Sequence, residues 1–333
     1  YRTNLYRQNN IDFAKRAIQF VQDSGDAYVM IGDFTKFFDN LDHAYLKRQW
    51  CSLLHVDRLP PDHYAVFKNI TRYSYMAIHG LEDNAKGRRQ LNAMKRVLSV
   101  EELKQNAFRL HKNTGCGIPQ GSPMSGVLAN VYMLEVDRSI QDFVSGYHGL
   151  YMRYSDDFMV VLPHVDEKTA EGALRQISDL FNSPDHPGLE LQPGKTQYYH
   201  FQGQTLENCG KRIHQDADDS NRYLHFLGFT FDGKKVSLRD KTVSKYYQRM
   251  RRKAKTIAKS GGYTKCRRHI SKKNLYKRYS VRGATGREGN FLTYVNHAQE
   301  PGRFGEHQRI GIVTSRNMQK IRRFLKKKYR STK

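Results

Sequence analysis

Three aspartates stand where carboxylates are costly unless something offsets their charge. Residues 27–32, AYVMIG, form an apolar run of strand length, and Asp33 follows at once, ahead of FTKFFDNLDH. Further on, GLYMRYSDDFMVVL sets Ser155, Asp156 and Asp157 between two apolar β-forming arms, Tyr151 to Tyr154 and Phe158 to Leu162. Adjacent carboxylates in a partly buried turn repel each other and gain proton affinity unless cations neutralise them. Hard divalent ions such as Mg²⁺ take carboxylate oxygens, keep several waters and share the phosphate oxygens of a substrate. If the strand ending at Asp33 lies beside this hairpin, three carboxylates meet at one sheet edge. Two metal ions about 4 Å apart could be held there, the arrangement that serves in-line phosphoryl displacement. Each feature also has an ordinary reading, because Ser and Asp cap and form turns throughout proteins.

Other elements have to position these groups. The stretch from Cys116 to Asp137, CGIPQGSPMSGVLANVYMLEVD, reads as a structured loop feeding an apolar helix from about Ser125 to Val136. Val127, Leu128, Val131 and Leu134 would form its buried face. Gly121 allows close approach of a ligand or backbone, and Gln120 beside it both donates and accepts. Pro119 and Pro123 also suit a plain helix-initiating loop. Leu224 to Phe231, then Val236 to Leu238, read as a hairpin with its turn at Asp232 and Gly233. Beyond it, Val243, Tyr246, Met250, Ala254 and Ile257 fall at helical spacing. So do Met318, Ile321 and Leu325, with Thr314 or Ser315 as N-cap. NFLTYVNHA supplies a helix between them. Three helices with basic outer faces predict a small bundle lying along a duplex.

Charge singles out the same region. The 333 residues carry 57 Lys and Arg against 32 Asp and Glu, a net +25. Residues 1–240 hold 29 of each sign, whereas residues 241–333 hold 28 basic residues and only Glu288, Glu300 and Glu306. The step predicts a module boundary near Asp240. A folded basic module suits a phosphate backbone, although a solvated tail or a membrane-surface segment has the same charge. With 21 Tyr and 17 Phe, a disordered polyelectrolyte is excluded. No run of about 18 apolar residues suggests a membrane span, and YRTNLYRQNNIDF has no signal-peptide character. Cys51, Cys116, Cys209 and Cys266 are far apart, which fits a reducing compartment better than a disulfide framework.

In order, GDFTKFFDNLDH, GIPQGSPMSGVLANVYM, YSDD, PGKT and FLGFTF resemble the palm motifs of reverse transcriptases. The style is that of the bacterial branch: group II intron, retron-like and defence-associated groups. The resemblance implies an α+β right-hand palm, an antiparallel sheet with packed helices, with truncated fingers and an α-helical thumb. Residues 1–26 would be a fingers remnant and 27–240 the palm, with a helical insertion at 44–113 and a primer-grip hairpin at 224–240. Residues 241–333 would be the basic thumb.

The resemblance also assigns roles. Asp33, Asp156 and Asp157 match the metal-binding catalytic carboxylates, holding two Mg²⁺ ions for which Mn²⁺ could substitute. Phe38 matches the steric gate against a 2′-hydroxyl, though a core Phe is equally ordinary there. Gln120, Gly121, Tyr154 and Arg2 would contact the incoming nucleotide and template. Lys195 would protonate the leaving pyrophosphate, or be simply solvated. Phe226, Leu227 and Gly228 match the primer grip. Ser155 departs from the Ala, Met or Val common in that turn, VTSRN lacks the VTG string of retrons, and only 32 residues precede Asp33. The implied activity is RNA-directed DNA synthesis from dNTPs on a primer–template duplex, with a structured noncoding RNA as template. It would serve antiphage defence or a retroelement in a bacterial cytoplasm. The alternatives are a noncatalytic, maturase-like RNA binder and a protein-primed or untemplated DNA polymerase.

Overall fold

The computed structural model describes residues 8–76, 90, 93–96, 98–101, 111–217, 219–264, 267–286 and 288–327. Arg2, and the parts of the 44–113 insertion not included here, lie outside the described residues. In chain order the elements begin with α1 (Asn10–Ser24), β1 (Asp26–Gly32), α2 (Phe37–Asn40), α3 (His43–Leu54) and α4 (Pro61–Thr71). The short strands β2 (Ser74–Tyr75) and β3 (His111–Lys112) precede α5 (Pro123–Tyr132) and α6 (Leu134–Ser145). Next come β4 (Leu150–Tyr154), β5 (Asp157–Pro163), α7 (Glu167–Phe181), β6 (Gln197–Gln202), β7 (Thr205–Asn208) and α8 (Gly210–Ile213). The last third holds β8 (Leu224–Phe226), β9 (Phe229–Phe231), β10 (Val236–Leu238) and α9 (Asp240–Ser260). It closes with α10 (Lys272–Tyr279), α11 (Val281–Ala284), α12 (Phe291–Ala298) and α13 (Asn317–Lys326).

These elements form two compact units, one of residues 1–32, 144–174 and 193–333, the other of residues 33–143 and 175–192. The first is built on an antiparallel sheet of order β4-β5-β1-β6-β7. β1 is central. Ala27, Val29 and Ile31 face one core together with Met159, Val161, Tyr199 and Phe201. The alternate residues Tyr28, Met30, Phe158 and Val160 are buried as well. Burial on both faces is why this strand reads as a continuous apolar run. α1 lays Ile11, Ala14, Ala17, Ile18 and Val21 into that core. Its start is fixed by a capping box between Asn9 and Asp12, which satisfies two otherwise orphaned amides.

Several expectations change in this unit. Leu224 to Phe231 is two strands, because the chain reverses at Leu227 (φ 47°) and Gly228 (φ 92°). Positive φ at both turn residues matches the right-handed twist of a tight hairpin, so β8, β9 and β10 form a three-stranded meander. The basic region holds more than the three expected helices. Its last helix is preceded by a 3₁₀ turn at Arg309–Thr314, and its N-cap is Arg316, not Thr314 or Ser315. Tyr246, Leu292, Val295, Phe304, Ile310 and Val313 share the core of the sheet and meander. The charge step at Asp240 is therefore not a packing boundary.

The second unit is helical. Asp42 caps α3 by accepting from Tyr45 N at 2.7 Å, and Pro61 and Pro123 occupy first-turn positions in α4 and α5, where a missing N–H costs nothing. The helix expected from Ser125 to Val136 is broken at Met133 into α5 and α6. Val127, placed on its buried face, is 54% exposed, while Leu128 and Val131 are buried. No helix among the described residues is long and apolar enough to cross a membrane.

Candidate functional site

The YSDD segment is a two-residue hairpin turn. Tyr154 pairs with Asp157, so Ser155 and Asp156 form the turn and Asp157 opens β5. Ser155 adopts φ 61°, a left-handed conformation that costs a non-glycine residue about 1 kcal/mol. Arg153 helps to hold it, donating from Nη1 to the Ser155 carbonyl at 2.8 Å. That arginine is buried. An arginine inside the apolar strand LYMRY was the sequence signal for this support, and it was missed. Tyr154 is half-buried, its ring edge-on to Phe13 at 5.7 Å.

The sheet register brings the end of β1 to this turn. Gly32 pairs with Phe158, one residue from Asp157. A Cβ at position 32 would overlap the Phe158 ring, so a larger residue there would have to displace that buried side chain. Asp33 is the next residue in the chain. Asp33 and Asp156 are half-buried and Asp157 is exposed. Their oxygens suit a hard divalent ion. Among the described residues, no three His, Cys, Asp or Glu side chains are clustered as a ready metal cage.

Phe38, Gln120 and Gly121 are brought together by the second unit. Ile118 N donates to Phe38 O and Gly117 N to Leu41 O, both at 2.8 Å, and Asp42 bridges Cys116. His43 Nε2 lies 2.7 Å from Gly117 O. Gly117 has φ 86°, and a Cβ there would sit 2.7 Å from Asp39 O, so the two motifs meet backbone to backbone. Phe37 is buried while Phe38 beside it stays half-buried, ring edge-on at 5.2 Å. Gln120 and Gly121 are exposed, and the space beside Gly121 is open. The chain around Asp33 is tied in the same unit: Gln192 N donates to Asp33 O at 3.0 Å and Thr35 N to Glu190 O at 2.8 Å.

Phe226, Leu227 and Gly228 surround the β8–β9 turn. Phe226 is fully buried as its anchor. Asn10 Nδ2 donates to Leu227 O at 3.1 Å and to Tyr294 Oη at 2.9 Å, and Arg239 N donates to Gly228 O at 2.9 Å. One side chain of α1 thus links the turn to α12, a role that an exposed-looking Asn at a helix start does not advertise. His225 Nδ1 lies 2.9 Å from Thr230 Oγ1 across the strands. Burial, helped by the Arg239 charge, holds its pKa below the ordinary value. Lys195 is exposed in a 3₁₀ turn at Pro193–Lys195.

Residues 4–231 match the reverse transcriptase (RNA-dependent DNA polymerase) family. No curated protein matches the chain. Among solved structures, a C-terminally truncated apo telomerase from Candida tropicalis aligns at TM-score 0.44 and 14% identity, over 70% of this chain and 40% of that one. A Candida albicans telomerase in complex with a fragment of telomeric RNA aligns at TM-score 0.39 and 13% identity, over 75% of this chain and 39% of that one. The chain therefore spans about two fifths of the length of these structures.

Proposed function

This chain belongs to the reverse transcriptase (RNA-dependent DNA polymerase) family, and we propose that it copies an RNA template into DNA by adding dNTPs to a primer. The observation that carries this reading is the sheet register. The end of β1, immediately before Asp33, and the turn holding Asp156 and Asp157 lie at the same edge. The family uses divalent metal ions, and Asp33, Asp156 and Asp157 would hold them, two Mg²⁺ being the reading the carboxylates favour. When bound, such ions supply activation of the primer 3′-hydroxyl and charge neutralisation on the triphosphate.

The protein's own groups do the rest. Phe38 lies under the sugar of the incoming nucleotide and excludes a 2′-hydroxyl. Gln120 contacts that nucleotide and its template base, beside the open space over Gly121. Tyr154 contacts the incoming nucleotide as well. Lys195 gives a proton to the departing pyrophosphate. The turn at Leu227 and Gly228 steadies the primer strand. The basic helices from α9 onward track the duplex, in the place of a thumb, with residues 27–240 as palm and 1–26 as part of the fingers. We further propose a bacterial, cytoplasmic enzyme with a dedicated noncoding RNA as template, in antiphage defence or a retroelement.

The test is primer extension on an RNA template with Mg²⁺. Asp156→Asn should abolish extension and leave RNA binding intact. Extension at the wild-type rate would remove the carboxylates from the chemistry. Sequencing the RNA that copurifies, and any DNA made on adding dNTPs, identifies the template.

A further inference from the structure

We infer that the second unit carries a binding site for single-stranded nucleic acid, on residues that the polymerase chemistry does not use. A cavity of about 700 Å³ opens where α3 begins, α4 ends and the β2–β3 pair stands. His43, Phe67, Arg72, Tyr73, Lys112 and Asn113 are among the residues lining it. Arg72 and Lys112 are exposed and have no carboxylate partner among the described residues. The acid at the rim, Asp42, is already engaged in capping α3.

Aromatic rings continue outward from this cavity. Tyr73 lies 6.2 Å from Tyr75, and Tyr75 stacks on His111 at 5.3 Å with an interplanar angle of 20°. Tyr75 is 53% exposed, so its free face is open to a stacking partner. The platform is held in shape. Asn113 N donates to Tyr73 O at 2.8 Å, and Asn113 Nδ2 donates to Thr71 O and Gly117 O, each at 3.0 Å.

Exposed rings beside exposed cations are what a single strand requires. Its bases have free faces for stacking, and its phosphates pair with Arg and Lys. A duplex hides its base faces, so the same surface discriminates against it. Arg72 and Lys112 would take neighbouring phosphates while a base lies on Tyr75.

Binding is measured in metal-free buffer on the full chain, so the result does not depend on polymerase activity. The probes are a labelled 12-nucleotide oligouridine RNA and a 12-base-pair RNA–DNA hybrid. Tyr75→Ala should weaken single-strand binding about tenfold without changing its salt dependence. Arg72→Gln combined with Lys112→Gln should lower the log–log salt slope by about 1.4, as expected for two phosphates on a single strand. Hybrid affinity should be unchanged in both. Wild-type affinity for the single strand in either variant, or an equal loss on the hybrid, overturns the site. All three substitutions lie on exposed positions, so folding is not at stake.

Discussion

Neutralising one face of α9 tests the thumb assignment without disturbing its core. Lys241, Lys245, Arg249 and Arg252 are all exposed. At 100° per residue they fall within about 80° of the helix circumference. The buried residues Tyr246, Met250 and Ala254 lie on the opposite side. If this face tracks a duplex, changing the four to Gln removes four phosphate contacts, and the log–log salt slope should fall by about 3.6. Between 50 and 200 mM salt, a fourfold range, that amounts to about 150-fold less salt sensitivity. Filter binding or anisotropy with an RNA–DNA hybrid reads it directly. The variant should be as stable as the wild type or slightly more so. Lys241–Lys245 and Lys245–Arg249 are like-charge pairs at i,i+4, each costing about 0.3 kcal/mol. An unchanged slope in a folded variant would refute the assignment and move duplex binding to another surface. A slope change with lost stability would mean that the face has a packing role the structure does not show.

Phe38→Ala should raise ribonucleotide incorporation about tenfold or more, close to 1.4 kcal/mol of lost discrimination. Competition between dNTPs and NTPs in primer extension measures it, and unchanged selectivity removes the gate. Gly117→Ala should cost about 3 kcal/mol in chemical denaturation, from left-handed strain and backbone overlap with Asp39; a loss below about 1 kcal/mol would show that the contact relaxes. His225 gives a pH signature. Its pKa is depressed in the fold, so its contribution is complete above the unfolded value near 6.5 and is lost as pH falls through that value toward the folded one. Wild-type stability should therefore drop more steeply than that of His225→Gln between pH 7.5 and 5, and parallel curves would dismiss the effect.

What could be read in the sequence follows from what each signal reports. The strand before Asp33 and the arms around Asp156 were legible because burial on both sides leaves an apolar run with a turn at its end. The α9 face was legible because Tyr246, Met250 and Ala254 repeat at the helical period. The break at Met133 was not, since Leu134 continues the apolar pattern of Val131 and nothing local marks the end of α5. The reversal at Leu227 was hidden for a related reason. FLGFTF is apolar on both sides of its single glycine, and a leucine at φ 47° is not a residue that turns usually select. The contact of Asn10 with Leu227 is a product of the fold, spanning 217 residues of sequence, which no local pattern encodes.

The charge step shows how a correct count can suggest a wrong experiment. Net charge is a property of the surface, whereas a folding unit is defined by shared apolar burial. The basic helices contribute Tyr246, Leu292, Val295, Phe304, Ile310 and Val313 to the core that also holds Val29, Phe229 and Phe231. Emptying a large core position costs about 2–5 kcal/mol, so losing six costs about 12–30 kcal/mol, as much as or more than the roughly 5–15 kcal/mol that holds a domain folded. A chain cut at residue 240 would lose nucleic-acid binding because the sheet beneath Asp156 and Asp157 had unfolded. That loss would carry no information about phosphate contacts. Only substitutions that leave the apolar face of α9 intact separate the two causes, and this is why the four exposed cations, and not the whole basic segment, are the informative perturbation.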